Sequence, residues 1–231
     1  MRACSTLPPI NPVHARNMLQ EFHGMRTWKM VDLEHANSVA SGSLRIGTLA
    51  GYADLENGRA DQSDGAIIIT SPEIKFEIDG DNEINKRRIN RLNIDVENSS
   101  VNFSGNIFTE TSPPQWVFCM SEQGCDFDWT PNIPKAIFEI SDVYAFARAV
   151  GQYALRDRAT GLWGVKRMAY RPVNIDVDDA FSRKASPFEK AEVFAREREV
   201  RIVWQPLGGQ AIASFNTDPN EQIAQFLTRV A

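Results

Sequence analysis

Glu197 and Glu199, with Arg201 just after them and Lys190 just before, are the residues whose types and spacing could do chemistry. A carboxylate pair suits glycosidic-bond cleavage, because the charge developing on the sugar in the transition state is positive. In that role Glu199 holds sugar hydroxyls beside the breaking bond and Glu197 orients the acceptor. Arg201 and Lys190 orient the two carboxylates. The same four residues also fit an ion-pair network that holds a helix to a strand and does no chemistry. On a strand, Glu197, Glu199 and Arg201 share a face; on a helix, Lys190, Phe194, Glu197 and Arg201 recur at helical spacing.

Two weaker constellations compete. Asp64, Glu73 and Lys75 have the order of metal-dependent nucleases, in which acids hold Mg²⁺ and the lysine steadies water or phosphate. Chance matches to so short a pattern are common, and an exposed hairpin explains it equally well. Glu56, Asp61 and Asp64 lie in a polar, glycine-bearing stretch from Gly51 to Gly65. They lack the spacing of a calcium loop, and acids that cap turns account for them. Cys119 and Cys125 are too far apart for a zinc knuckle and have no histidine near them, so no metal site is expected. Cys119, within Trp116–Met120, reads as a small buried hydrophobe.

The elements that must position these residues follow from periodicity. Strands are expected at Thr27–Val31, Leu44–Leu49, Ala66–Thr70, Ile74–Ile78, Arg91–Val96, Val101–Phe108, Trp116–Met120, Trp163–Tyr170, Val173–Val177 and Val200–Gln205. Asp32 caps a helix to Ala40, and Gly42 ends it. Ser141 or Asp142 caps a helix from Val143 to about Arg156, with Phe146, Ala147 and Val150 on its apolar face. Pro187 opens a helix over Glu189–Glu197. A last helix starts at Asp218 or Pro219 and carries Ile223, Phe226 and Leu227. The sum is an α+β fold, one domain over residues 25–231 with a mixed or antiparallel β core and flanking helices. Residues 1–24, punctuated by Pro8, Pro9 and Pro12, read as an arm that could dock on a partner protein.

The chain has 231 residues and a net charge of -5. An acidic balance argues against a dedicated nucleic-acid coat, although Lys86, Arg87, Arg88 and Arg91 form one dense basic cluster. Three cysteines, an odd and low count, suit a reducing compartment. No apolar run reaches membrane-spanning length, so the expectation is a cytoplasmic protein with no membrane partner.

The strand–helix–strand order from Thr27 to Ile46 is similar to the opening of ADP-ribosyltransferase-like folds, and Glu197-Arg-Glu199 before Val200–Trp204 looks like their late E-x-E strand. The chain also resembles a family of uncharacterised bacterial and phage proteins. The pattern is Trp28-Lys29, then Glu56, Asp61 and Gly65, then Lys190, Phe194, Glu197, Glu199 and Arg201. It spans residues 27–204, and its individual motifs are short. The transferase resemblance implies NAD as cofactor. Glu199 and Glu197 would be catalytic, Lys29, Arg45 and Tyr52 would bind the cofactor, and Lys190 and Arg201 would support the carboxylates. It implies a protein or nucleic-acid acceptor, and the bacterial and phage likeness implies a toxin or phage-defence role. The chain departs from transferase folds in carrying Lys29 where they have His or Arg, a point charge in place of a planar fork.

Overall fold

The computed structural model describes residues 20–53, 66–70, 74–77, 100–103, 107–125, 134–158, 160–172, 174–176, 184–206 and 212–231. Its first strand, β1 (Thr27–Asp32), is one residue longer than the spacing predicts. The helix expected from Asp32 is a 3-10 turn, Leu33–His35, running into a short α1 (Ala36–Ala40). Asp32 sits at the N-cap position but makes no side-chain cap bond, because its carboxylate pairs with Lys135 directly across the sheet. Gly42 ends this segment with φ +81. A Cβ there would stand 2.1 Å from the Asn220 carbonyl oxygen, so only glycine lets the turn dock.

β2 (Arg45–Thr48) and α2 (Leu49–Ala53) follow. β3 (Ala66–Thr70), β4 (Ile74–Glu77), β5 (Ser100–Phe103) and β6 (Ile107–Thr111) form two antiparallel pairs, β3 with β6 and β4 with β5. The single strand expected over Val101–Phe108 is therefore two strands with different partners. The expected strand Arg91–Val96 lies outside the described residues. β7 (Trp116–Glu122) precedes β8 (Lys135–Ile140), a strand that the spacing analysis leaves out although Ala136, Phe138 and Ile140 alternate cleanly inward.

α3 (Val143–Ala149) begins where expected: the Asp142 carboxylate accepts a hydrogen bond from the Ala145 N–H at 2.9 Å. It then widens into a π turn over Val150–Ala154, with Gly151 against the Trp204 indole. The region expected as one strand from Trp163 is β9 (Thr160–Arg167) and β10 (Ala169–Arg171), and β11 (Asn174–Asp176) follows.

The helix expected over Glu189–Glu197 does not form. β12 (Glu189–Ala191) pairs in parallel with β10, so tertiary pairing overrides the local preference. A 3-10 turn, Glu192–Glu197, then ends at Arg198 with φ 45, a left-handed conformation that turns the chain into β13 (Glu199–Pro206). β14 (Phe215–Asn216) precedes α4 (Glu221–Ala224), capped by the Asn220 side chain. That helix is shorter than expected, and Leu227 lies instead in β15 (Leu227–Arg229) on the edge of β8.

The molecule is thus mixed α and β, with a mostly antiparallel open sheet and a few helices. Among the described residues no helix is long and apolar enough to cross a membrane. The sheet is organised around β7. Along one edge β7 pairs with β13 from Trp116 opposite Trp204 to Ser121 opposite Glu199. Its other edge is shared: β2 holds only Trp116 and Val117, and β1 holds only Ser121 and Glu122. Between those points β1 and β2 diverge, and the sheet forks beside Phe118–Met120.

The two faces of β7 and β13 differ in chemistry. Trp116, Phe118 and Met120 with Val200, Ile202 and Trp204 belong to the main core beneath α3. Each of these fully buried large side chains contributes roughly 1.5–3 kcal/mol. Phe22, inside the segment expected as an arm, is 1% exposed in that core, so chain packed into the fold begins before residue 25. The opposite face carries a smaller cluster, Leu49, Val117, Met168, Phe188 and Val203, joined by Tyr52 and Tyr170. Alternation places Cys119, Glu199 and Arg201 on that second face.

Candidate functional site

The fork opens a cleft of about 400 Å³. β1 supplies Lys29, Met30 and Asp32 to its walls, β2 supplies Arg45 and Gly47, α2 supplies Tyr52, and Phe118 comes from β7. Lys29 reaches into the fork. Its ammonium donates to the Cys119 carbonyl oxygen at 2.7 Å and stands 4.8 Å from the centre of the Phe118 ring. This bond satisfies a backbone carbonyl on the edge of β7 where strand pairing lapses. Arg45 is exposed on β2. The Tyr52 ring packs closely against Gly47: a Cβ there would come 2.6 Å from Cε2 of the ring. Gly47 is therefore what allows Tyr52 to wall the cleft.

Behind the fork lies the ion network. Arg201 is wholly buried. Its Nε donates to Glu199 Oε1 at 2.8 Å, Nη2 stands 2.6 Å from the same oxygen, and Nη1 donates to the Pro187 carbonyl at 2.7 Å. Lys190 donates to Glu199 Oε2 at 3.0 Å and to Glu197 Oε2 at 2.6 Å, with the Phe194 ring against its ammonium. The Glu199 N–H donates to the Tyr170 oxygen at 2.7 Å, and burial pushes the Tyr170 hydroxyl up to about 12. The Cys125 thiol donates to the Glu197 carbonyl at 3.2 Å and steadies the turn.

The two carboxylates respond oppositely. Burial pushes Glu199 up, but the Arg201 and Lys190 charges and a hydrogen bond from the Cys119 thiol outweigh it and hold the carboxyl far below the usual range. Burial raises Glu197, and Lys190, shared with Glu199, does not fully offset it. A folded-state value below the unfolded one gives Glu199 a contribution present above about pH 4.3 and lost as pH falls. Glu197 contributes with the opposite sign just above that value. Urea unfolding across pH 3–6 is accordingly expected to show wild-type stability falling steeply below about pH 4. The Glu199→Gln variant should be less stable at neutral pH and show a flatter acid limb; an unchanged slope would remove Glu199 as its source.

Lys29, Arg45 and Tyr52 thus line one cleft, while Lys190, Glu197, Glu199 and Arg201 form one network. The two groups are not one pocket: neither Glu197 nor Glu199 belongs to the cleft wall. Cys119, expected as a small buried hydrophobe, is half-buried between the two groups and acts electrostatically on both, helping to lower Glu199 and to raise the Tyr52 hydroxyl. Burial first, then Cys119 and Glu199, raises the Tyr52 hydroxyl well above its ordinary value. Sequence reasoning also missed Asp32, Glu34 and His35, whose ligand atoms come within 4.8 Å of one another beside the cleft. The D-x-E-H spacing was the available signal, and Lys135 already pairs with Asp32. Of the nuclease pattern, Lys75 lies in β4, and Asp64 and Glu73 lie outside the described residues, as does the acidic stretch with Glu56 and Asp61. The basic cluster Lys86–Arg91 lies outside them too. Comparison of the chain with protein-family models, with curated proteins and with solved structures finds no match.

Proposed function

We propose that the fork cleft binds a dinucleotide of the NAD class, and that Lys190, Glu197, Glu199 and Arg201 hold the fold without reacting. The observation that carries this reading is the placement of Lys29 and Arg45 on two strands diverging from a common neighbour, around a cleft walled by Tyr52 and Phe118. Its volume of about 400 Å³ is that of small-molecule sites. The two cations supply the charge a pyrophosphate needs, and the rings supply the apolar wall a base or nicotinamide needs. Glycosyl transfer, which the resemblance implies, requires a carboxylate at the cleft. Glu199 is 5% exposed and both of its oxygens are engaged. Binding is therefore the reading the geometry supports best.

Isothermal titration of the protein with NAD and with nicotinamide riboside, which lacks the pyrophosphate, tests it. NAD is expected to fill one site, with the riboside at least about tenfold weaker because charge-assisted hydrogen bonds are lost. Absent NAD binding, or equal affinity for the two, overturns the reading.

A further inference from the structure

Resting on that reading of the cleft, we propose that Asp32, held by Lys135, accepts hydrogen bonds from the ribose attached to the bound pyrophosphate, so that the cleft selects nucleotides with an intact 2′,3′-diol over 2′-deoxy nucleotides.

Asp32 occupies the N-cap position of the 3-10 turn Leu33–His35, where a carboxylate ordinarily accepts from backbone N–H groups. It makes no such bond. Its Oδ1 pairs instead with the ammonium of Lys135, the residue directly opposite on β8. Both residues line the fork cleft, and their side chains differ in burial: Lys135 is 12% exposed and Asp32 38%. The lysine is the tucked-in partner, and the carboxylate is the partner presented to a ligand. The ion pair fixes its direction. A carboxylate offers about four lone-pair sites over its two oxygens, so one ammonium does not exhaust it as an acceptor.

Position along β1 supplies the rest. Lys29 and Asp32 are three residues apart on that strand, roughly 10 Å at the usual rise per residue. Both line the cleft, because β1 borders the open fork. A ligand whose phosphates sit at Lys29 and Arg45 thus meets a carboxylate about one sugar further on. An ionised carboxylate only accepts, and an ionised phosphate cannot donate, so a second phosphate is disfavoured there and a group with O–H donors is favoured. The charge of Lys135 is balanced by Asp32 and does not reopen the place to an anion. In a nucleotide the group next to the phosphates is the ribose, whose adjacent 2′ and 3′ hydroxyls can both donate to one carboxylate.

ADP and 2′-deoxy-ADP differ by the 2′ hydroxyl alone, and both carry a diphosphate. Each is titrated calorimetrically in EDTA, so that no cation bridging Asp32, Glu34 and His35 to the phosphates contributes. NAD is titrated first: if it does not bind, the cleft reading falls, and this inference with it. With NAD binding established, ADP is expected to bind wild-type protein at least about tenfold more tightly than 2′-deoxy-ADP, the effect of one lost hydrogen bond to a charged group. Asp32→Ala removes the acceptor and should bring the two within about twofold. The lost negative charge strengthens both nucleotides alike, so the ratio is the readout, and a merely structural role for Asp32 would leave it at the wild-type value. The wild-type ratio needs no variant and decides the matter should Asp32→Ala fail to fold. Where NAD binds, equal affinity for ADP and 2′-deoxy-ADP, no binding of ADP, or a wild-type ratio persisting in Asp32→Ala would each overturn the assignment to Asp32 and leave the cleft reading standing.

Discussion

Arg201→Met is expected to lower the unfolding free energy by about 3–5 kcal/mol, because it leaves a buried carboxylate without its principal partner. Arg201 is 0% exposed and Glu199 5%, so water can replace little of the lost bonding. The Pro187 carbonyl also loses its donor. Methionine replaces the apolar stem of the side chain but not the guanidinium, so the loss is chiefly one of charge and hydrogen bonding. The paired variant, Glu199→Met with Arg201→Met, removes both charges and should recover much of the loss. Urea unfolding midpoints at neutral pH for the two variants measure this. An Arg201→Met protein as stable as wild type would mean the network does not hold the fold.

The second large effect concerns the cleft. Lys29→Met together with Arg45→Met is expected to weaken NAD binding at least about a hundredfold, since each charge-assisted hydrogen bond lost accounts for about 1.5–3 kcal/mol. Arg45 is exposed, so Arg45→Met alone should leave thermal stability unchanged while taking about a tenfold share of the loss. Lys29→Met should also cost stability, because the Cys119 carbonyl loses its donor. Binding by wild type should weaken as salt rises, and the double variant should lose most of that dependence. Retained affinity in the double variant would place any ligand elsewhere.

Some of this was legible in the sequence and some was not, for physical reasons. Short apolar runs identify β1, β2, β7 and β13; β7 and β13 are buried on both faces, so they read as near-continuous apolar stretches more than as alternation. The grouping of Lys190, Glu197, Glu199 and Arg201 was readable because all four lie within a dozen residues. Their helical spacing misled: Lys190 meets Glu197 because a parallel strand, a 3-10 turn and a left-handed Arg198 fold the segment back, and non-local pairing with β10 decides that path. β8 shows a clean period of two and could have been read. The fork could not. It depends on β1 and β2 both claiming the edge of β7, a register choice made by residues about 90 positions apart in the case of Lys29 and Cys119. Cys119 reads as core by type and neighbours; only the pairing with Arg201 reveals that it faces the polar side. Likewise Gly47 looks like an ordinary weakness in a strand until the Tyr52 ring is seen packed against it.

The central claim is that ligand enters the fork and the carboxylate network stands behind it. A crystal structure of the protein grown with NAD tests this most directly. Dinucleotide density is expected between β1 and β2, with the pyrophosphate beside Lys29 and Arg45, a ring against Tyr52 or Phe118, and Glu199 still bound by Arg201 and Lys190. Density against a Glu199 released from Arg201, with Lys29 and Arg45 untouched, would contradict it.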